Sequence, residues 1–170
     1  MKIGLVRRGY SPTGGAEAYL KRFAQAASAL GHECILFATK DWPKDEWPHP
    51  FQKIKHGQSP LEFSLELATA DPQHKCDVLF SLERVLACDC YRAGDGVHAA
   101  WLQRRAPYES WLRAWWRSRD NKHHEILKLE ETMFKGESAR AVIANSEMVK
   151  AEIVKHFDYP AERVHVIYNG

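Results

Sequence analysis

No stretch of this chain approaches the ~20 consecutive apolar residues that span a bilayer, so a membrane-spanning helix is not expected. The four cysteines, Cys34, Cys76, Cys88 and Cys90, form no CxxC pair and no regular framework, which argues against a disulfide scaffold or a zinc ribbon. Cys34 and Cys76 sit beside apolar runs and read as buried free thiols. Cys88 and Cys90, two apart on a strand, would share one face without making a metal site. Neither sign of charge dominates: 24 Lys and Arg against 22 Asp and Glu leave +2, too little for a protein steered towards nucleic acid. There is no internal repeat and no low-complexity tract. The opening Met1-Lys2-Ile-Gly-Leu-Val is short for a secretory signal and is followed by Arg7-Arg8, with no cleavage site. With free thiols, this makes the cytosol the expected compartment.

What is present is the make-up of an ordinary folded domain: 170 residues, 45% hydrophobic and 27% charged. Short apolar runs alternate with helical patterns. Strands are predicted at Met1–Arg7, Glu33–Ala38, Phe51–His56, Cys76–Ser81, Cys90–Ala93, Arg140–Ala144 and Val164–Ile167. Between them, helices are predicted at Ala16–Leu30, Pro60–Thr69, Ala99–Arg119 (broken by Pro107), Glu125–Phe134 and Glu147–Phe157. Leu20, Phe23, Ala24, Ala27 and Leu30 form the apolar stripe of the first helix. Leu61, Leu65 and Ala68 form that of the second. Trp42–Pro50 reads as a surface loop, and Ser146 as an N-cap. This alternation implies an α/β fold: a Rossmann-like parallel sheet with helices on both faces. Ligands of such sheets gather at the carboxyl ends of the strands, where Arg8–Gly15, Ala93–His98 and Asn145-Ser146 lie.

Two of these turns carry chemistry. Gly14-Gly15 precedes a helix whose first N–H groups are unpaired and whose N-terminus bears about half a positive charge. Glycines there let an anion approach without a Cβ in the way, although a tight turn alone would also use them. In Tyr91-Arg92-Ala93-Gly94-Asp95-Gly96-Val97-His98, two glycines flank an acid and a histidine opens the next helix. Asp95 could accept hydrogen bonds from hydroxyls or take a proton, and neutral His98 could donate a hydrogen bond or carry a proton. A purely structural turn, with Asp95 capping the helix, stands beside that reading.

Together these residues resemble the N-terminal domain of the family 4 glycosyltransferases of the GT-B fold. The resemblance spans the whole chain. It rests on Gly14-Gly15-Ala16-Glu17, the Asp95/His98 turn, Leu129-Glu130-Glu131-Thr-Met-Phe134, Val142–Lys150 and the closing Val166-Ile-Tyr-Asn169-Gly170. The order of parts looks most like the lipopolysaccharide-core glucosyltransferases. The resemblance implies one half of a GT-B fold, residues 1–170 being the acceptor-side domain and the donor-binding domain lying outside this chain. It implies retaining transfer of a hexose from a nucleoside-diphosphate sugar, UDP-linked, to a saccharide or lipid-linked acceptor, with no metal and no other cofactor. Gly14, Gly15, Ala16, Glu17, Asn145 and Ser146 then fall on the donor side. Asp95 becomes the acceptor-side base or orienting group, and His98 a sugar hydroxyl contact. The acidic pair that binds the donor in the family belongs to the second domain, so this chain by itself is expected to be inactive.

Two further segments stand apart. Trp111, Trp115 and Trp116, edged by Arg113 and Arg117, would form an amphipathic helix suited to an anionic membrane surface, placing the protein at the inner face of the plasma membrane. His123-His124-Glu125 reads as a solvated helix face rather than a metal site, because adjacent helical residues point apart. Alternatives remain: a stand-alone Rossmann-like module that binds a nucleotide or sugar phosphate, or a peripheral membrane or partner-binding domain.

Overall fold

The structure, a computed structural model, describes residues 1–108 and 121–168. Seven strands form one sheet: β1 (Lys2–Val6), β2 (Glu33–Ala38), β3 (Phe51–Lys53), β4 (Val78–Ser81), β5 (Cys88–Ala93), β6 (Ala139–Ala144) and β7 (Val164–Val166). Their order is β3-β2-β1-β4-β5-β6-β7, and every adjacent pair is parallel. The described helices are α1 (Gly15–Ala29), α2 (Pro60–Thr69), α3 (His98–Arg105), α4 (Asn121–Phe134) and α5 (Glu147–Phe157). The chain is thus the predicted α/β fold with helices on both faces of a parallel sheet.

Alternation along the strands assigns the two faces. Val6, Ile35, Phe37 and Leu79 join one apolar cluster, and Leu5, Cys34, Leu36 and Phe80 join the other. Right-handed crossovers decide which helices cover which face. The β1–α1–β2 unit runs outward in one direction and places Leu20, Ala24 and Ala27 on the second cluster. The chain then crosses back, so the later crossovers run the other way. The residues Phe63 and Leu67 of α2, Met133 and Phe134 of α4, and Val149 and Ile153 of α5 therefore fill the first cluster. The direction reverses between β1 and β4, and the cleft of such a sheet opens at that reversal.

Four local expectations are corrected. The 42–50 segment is not a surface loop: Trp42 and Trp47 are each 4% exposed. With one described helix on that face, their rings cover the sheet that α1 leaves bare. They meet at 5.9 Å, Tyr10 packs on Trp42 at 5.1 Å, and the indole N–H groups donate to Gly9 O and Pro50 O. Leu30 lies past the end of α1 and is exposed, so the stripe stops at Ala27. Helix α2 turns Phe63, Ser64 and Leu67 inward and leaves Leu65 exposed, because the bulkier ring takes the core position. Cys88 belongs to one cluster while Cys90 lies against the other, so the two sulfurs do not share a face. Ser146 caps α5 as expected, accepting from Val149 N at 3.3 Å.

Candidate functional site

At the end of β1, Arg7 turns its guanidinium onto two acids. Nε and Nη2 each reach Glu17 Oε1 at 3.1 Å, and Nη1 reaches Glu83 Oε1 at 2.6 Å. Glu17 is therefore an inward residue, 3% exposed. Its buried Oε2 has no hydrogen-bond partner among the described residues and lies against Gly14. A Cβ on Gly14 would collide with this carboxylate, whereas one on Gly15 would meet nothing. The two glycines thus do different work: Gly14 makes room for Glu17, and Gly15 opens the helix N-terminus to the surface. Gly14, at the N-cap of α1, makes no side-chain cap.

The Asp95 bend is held from three sides. Asn145 Nδ2 donates to Gly94 O at 2.9 Å, and Arg84 Nη2 donates to Gly96 O at 2.9 Å. Glu130, on α4 and fully buried, accepts from His98 N at 2.7 Å and Ala99 N at 3.1 Å, and from Arg84 Nε at 2.9 Å. Asp95 therefore does not cap α3. The position before the helix is Val97, which has no side-chain cap, and Glu130 supplies the acceptors instead. A carboxylate on the first amides of a helix is favoured by the dipole as well as by the hydrogen bonds. Gly96 adopts φ +72°, a left-handed value that a side chain would resist. Asp95 itself stays exposed at the tip. Burial works against the charge on Arg84, but Tyr91, Glu130 and Asp95 more than offset it and hold its pKa above the ordinary arginine value.

His98 lines the same rim. Its Nε2 lies 2.9 Å from His123 Nδ1, and the two rings stack at 5.0 Å. Trp101 stacks on His98 at 5.4 Å. The reading of His123 as part of a solvated face is therefore corrected: α4 folds back along α3 and brings this half-buried ring against His98, which lines the cleft, while His124 stays exposed. Burial, then the charges of Arg84, His123 and Lys122, push the His98 pKa down to about 4. The ring is thus neutral near pH 7. An unfolded histidine titrates near 6.5, so the unfolded chain takes up this proton first. The His98 contribution to stability is present above about pH 6.5, falls as pH drops towards about 4, and is constant below that. A histidine-resolved NMR titration should find this midpoint near 4. A midpoint above 6 would contradict the buried setting.

Two clefts, each about 710 Å³, open on the carboxyl rim. Arg7, Arg8, Glu83, Arg84, His98 and Trp101 are among the residues that line the first. Gly15, Ala16, Tyr19, Arg92 and Ile143 help line the second, where the Arg92 guanidinium lies 4.1 Å from the centre of the Tyr19 ring. Asp95 borders both. The glycine turn and the Asp95 bend, some 80 residues apart in sequence, thus meet on one rim. Asn145 and Ser146 spend their side chains on the scaffold, Asn145 on the bend and Ser146 on the α5 cap. Trp111, Trp115, Trp116, Arg113 and Arg117 lie outside the described residues. Among the described residues, no group of three His, Cys, Asp or Glu is placed to hold a metal ion, and no helix is long and apolar enough to cross a membrane.

Sequence reasoning missed Arg7, Arg84, Glu130 and His123 as site-builders. One signal was available for Glu130: it stands four before Phe134 and beside Leu129, in phase with the inward stripe of α4. An acid on a buried stripe needs a partner.

Residues 13–170 match the Glycosyltransferase Family 4 profile. No curated protein matches the sequence. Among solved structures, the fold is similar to that of WaaG, a glycosyltransferase involved in lipopolysaccharide biosynthesis. That match has a TM-score of 0.75 and 18% identity over 97% of this chain and 44% of WaaG. A glycosyltransferase from Rickettsia africae ESF-5 aligns with a TM-score of 0.53 and 13% identity, over 99% of this chain and 43% of that one. The chain thus spans less than half the length of either, and likeness at such identities speaks for the fold. The profile match shows the family and the structural match agrees with it in fold: the chain belongs to glycosyltransferase family 4, as an N-terminal domain of the GT-B type.

Proposed function

We propose that this domain forms the acceptor-side wall of a retaining glycosyl-transfer site. The donor is a nucleoside-diphosphate hexose, UDP-linked, and the acceptor is a saccharide or glycolipid of the lipopolysaccharide or cell-envelope type. A second, donor-binding domain outside this chain closes the site. The transfer takes place in the cytoplasm, at the inner face of the plasma membrane. The observation that carries the proposal is the convergence of two clefts on Asp95, with an open helix N-terminus on one side and a neutral histidine on the other.

The chemistry follows from that arrangement. The C1–oxygen bond to the diphosphate breaks, a C1–oxygen bond to the acceptor hydroxyl forms, and the sugar centre passes through an oxocarbenium-like state. The diphosphate gains charge as it leaves. Backbone N–H groups at Gly15 and Ala16 favour that charge, so they lower the barrier rather than merely holding the donor. In this reading Asp95 orients the acceptor hydroxyl and receives or relays its proton, and the neutral His98 ring contacts a sugar hydroxyl. Arg7 and Arg84 face Asp95 electrostatically. No residue described here is asked to hold a metal.

The test uses the full-length protein with a panel of nucleoside-diphosphate hexoses and an envelope saccharide acceptor. Asp95→Ala should lower turnover at least about tenfold, or ~1.4 kcal/mol in barrier, with the fold intact. Full turnover in that variant would remove Asp95 from the reaction. An inverted anomeric product would overturn the retaining assignment.

A further inference from the structure

His98, which lines the first cleft, is touched by a second histidine, His123. Where two imidazoles meet nitrogen to nitrogen, they share one hydrogen: one ring donates and the other accepts. A neutral imidazole carries its hydrogen on one nitrogen only, so the role taken by Nε2 decides the role left to Nδ1. His98 Nε2 and His123 Nδ1 are 2.9 Å apart, within hydrogen-bond reach. The ring planes are inclined by 21° to each other, and the Trp101 ring centre lies 5.4 Å from that of His98 and 6.1 Å from that of His123, which limits any swing of either ring. Among the described residues, the charged groups beside His98 are Arg84 and Lys122, with Glu130 on the His98 backbone N–H and Asp95 across the bend. Two cations beside a half-buried ring disfavour a further positive charge, so His98 stays in the neutral form, which has a tautomer to choose.

We propose that His123 is a positioning residue for His98: by engaging Nε2 it sets the tautomer, and so decides whether Nδ1 donates to or accepts from a hydroxyl in the cleft. This rests on the reading of His98 as a sugar contact. It gives α4 a part in recognition that runs through His98, whose backbone N–H the same helix already holds with Glu130.

Two substitutions separate the hydrogen bond from the ring stack. His123→Phe keeps an aromatic ring and removes both nitrogens. His123→Asn drops the ring but puts an amide group near the place of Nδ1. Long-range proton–nitrogen NMR on the chain labelled at its histidine rings reads the His98 tautomer, with His98→Gln assigning the signal. The native and His123→Asn chains should show one and the same tautomer, and His123→Phe a mixture or the other one. In the full-length protein, His123→Phe should lower kcat about fivefold, the worth of one hydrogen bond, with His123→Asn restoring most of it. An unchanged His98 signature in His123→Phe overturns the proposal. So does an equal change in both variants, which would make the stack and not the hydrogen bond responsible. The NMR measurement needs neither donor nor acceptor, so its failure speaks against the pair alone. Absence of transfer by the native full-length protein would speak against the glycosyl-transfer reading alone.

Discussion

Glu130→Ala should cost about 3–5 kcal/mol of folding stability, the range found when one partner of a buried ion pair is removed. Glu130 is fully buried, and its two oxygens accept from three donors: Arg84 Nε, His98 N and Ala99 N. Truncation leaves the Arg84 guanidinium, itself mostly buried, without its counter-charge, and strips the N-terminus of α3 of its acceptors. Chemical denaturation should show a lower midpoint with an unchanged slope. For a domain of this size the melting temperature should fall by on the order of 10 °C. A loss below about 1 kcal/mol would mean that water replaces the carboxylate and that the site is wetter than its burial indicates. The double variant Glu130→Leu, Arg84→Met should be milder than Glu130→Ala, because the charge that would be stranded is gone. What it should not recover is the α3 cap, worth about 1 kcal/mol.

Gly14→Ala should destabilise by ~2 kcal/mol, within the usual range for overpacking. The Cβ it adds would occupy the place of the Glu17 carboxylate. A surface glutamate would swing aside at little cost, but Glu17 is 3% exposed and tied to Arg7 through Nε and Nη2. Moving it breaks that contact and leaves Arg7 with Glu83 as its remaining acid partner at the rim. Gly15→Ala, one residue on, should be neutral or slightly stabilising, since the added methyl meets nothing and alanine favours a helix. Combining Gly14→Ala with Glu17→Ala should recover part of the loss, and a coupling of about 1 kcal/mol or more would assign it to this one contact. Equal stability of Gly14→Ala and Gly15→Ala would show that the turn relaxes freely and that Glu17 is not held.

Much of the architecture was legible from local pattern. Helix α2 occupies the predicted residues, α5 likewise, and β2 runs from Glu33 to Ala38 as read. Apolar runs of this length, punctuated by glycine and proline, leave few choices to a backbone that must pair its polar groups. The errors fell where one element has to choose a face. Leu65 and Phe63 both suit an inward position on α2, and the packing partner, not the period, selects the ring. The tryptophans of the 42–50 segment sat among Pro, Asp and Glu and looked exposed. They are buried because the crossover handedness leaves α1 as the one described helix on that side of the sheet.

The site divides in the same way. The sequence by itself determined that glycines would open the first helix and that Asp95 would stand between two glycines before another. Both follow from residue types whose conformational demands are local. Tertiary structure alone decided that Glu130, 32 residues beyond His98, would cap its helix, that Arg84 would grip Gly96 O, and that His123 would meet His98. Those contacts depend on which face of α4 turns inward and on where the chain re-enters the sheet. The helical period can mark Glu130 as inward, but the partner of a buried charge and the partner in a shared hydrogen are specified by distance in space, which spacing along the chain does not encode.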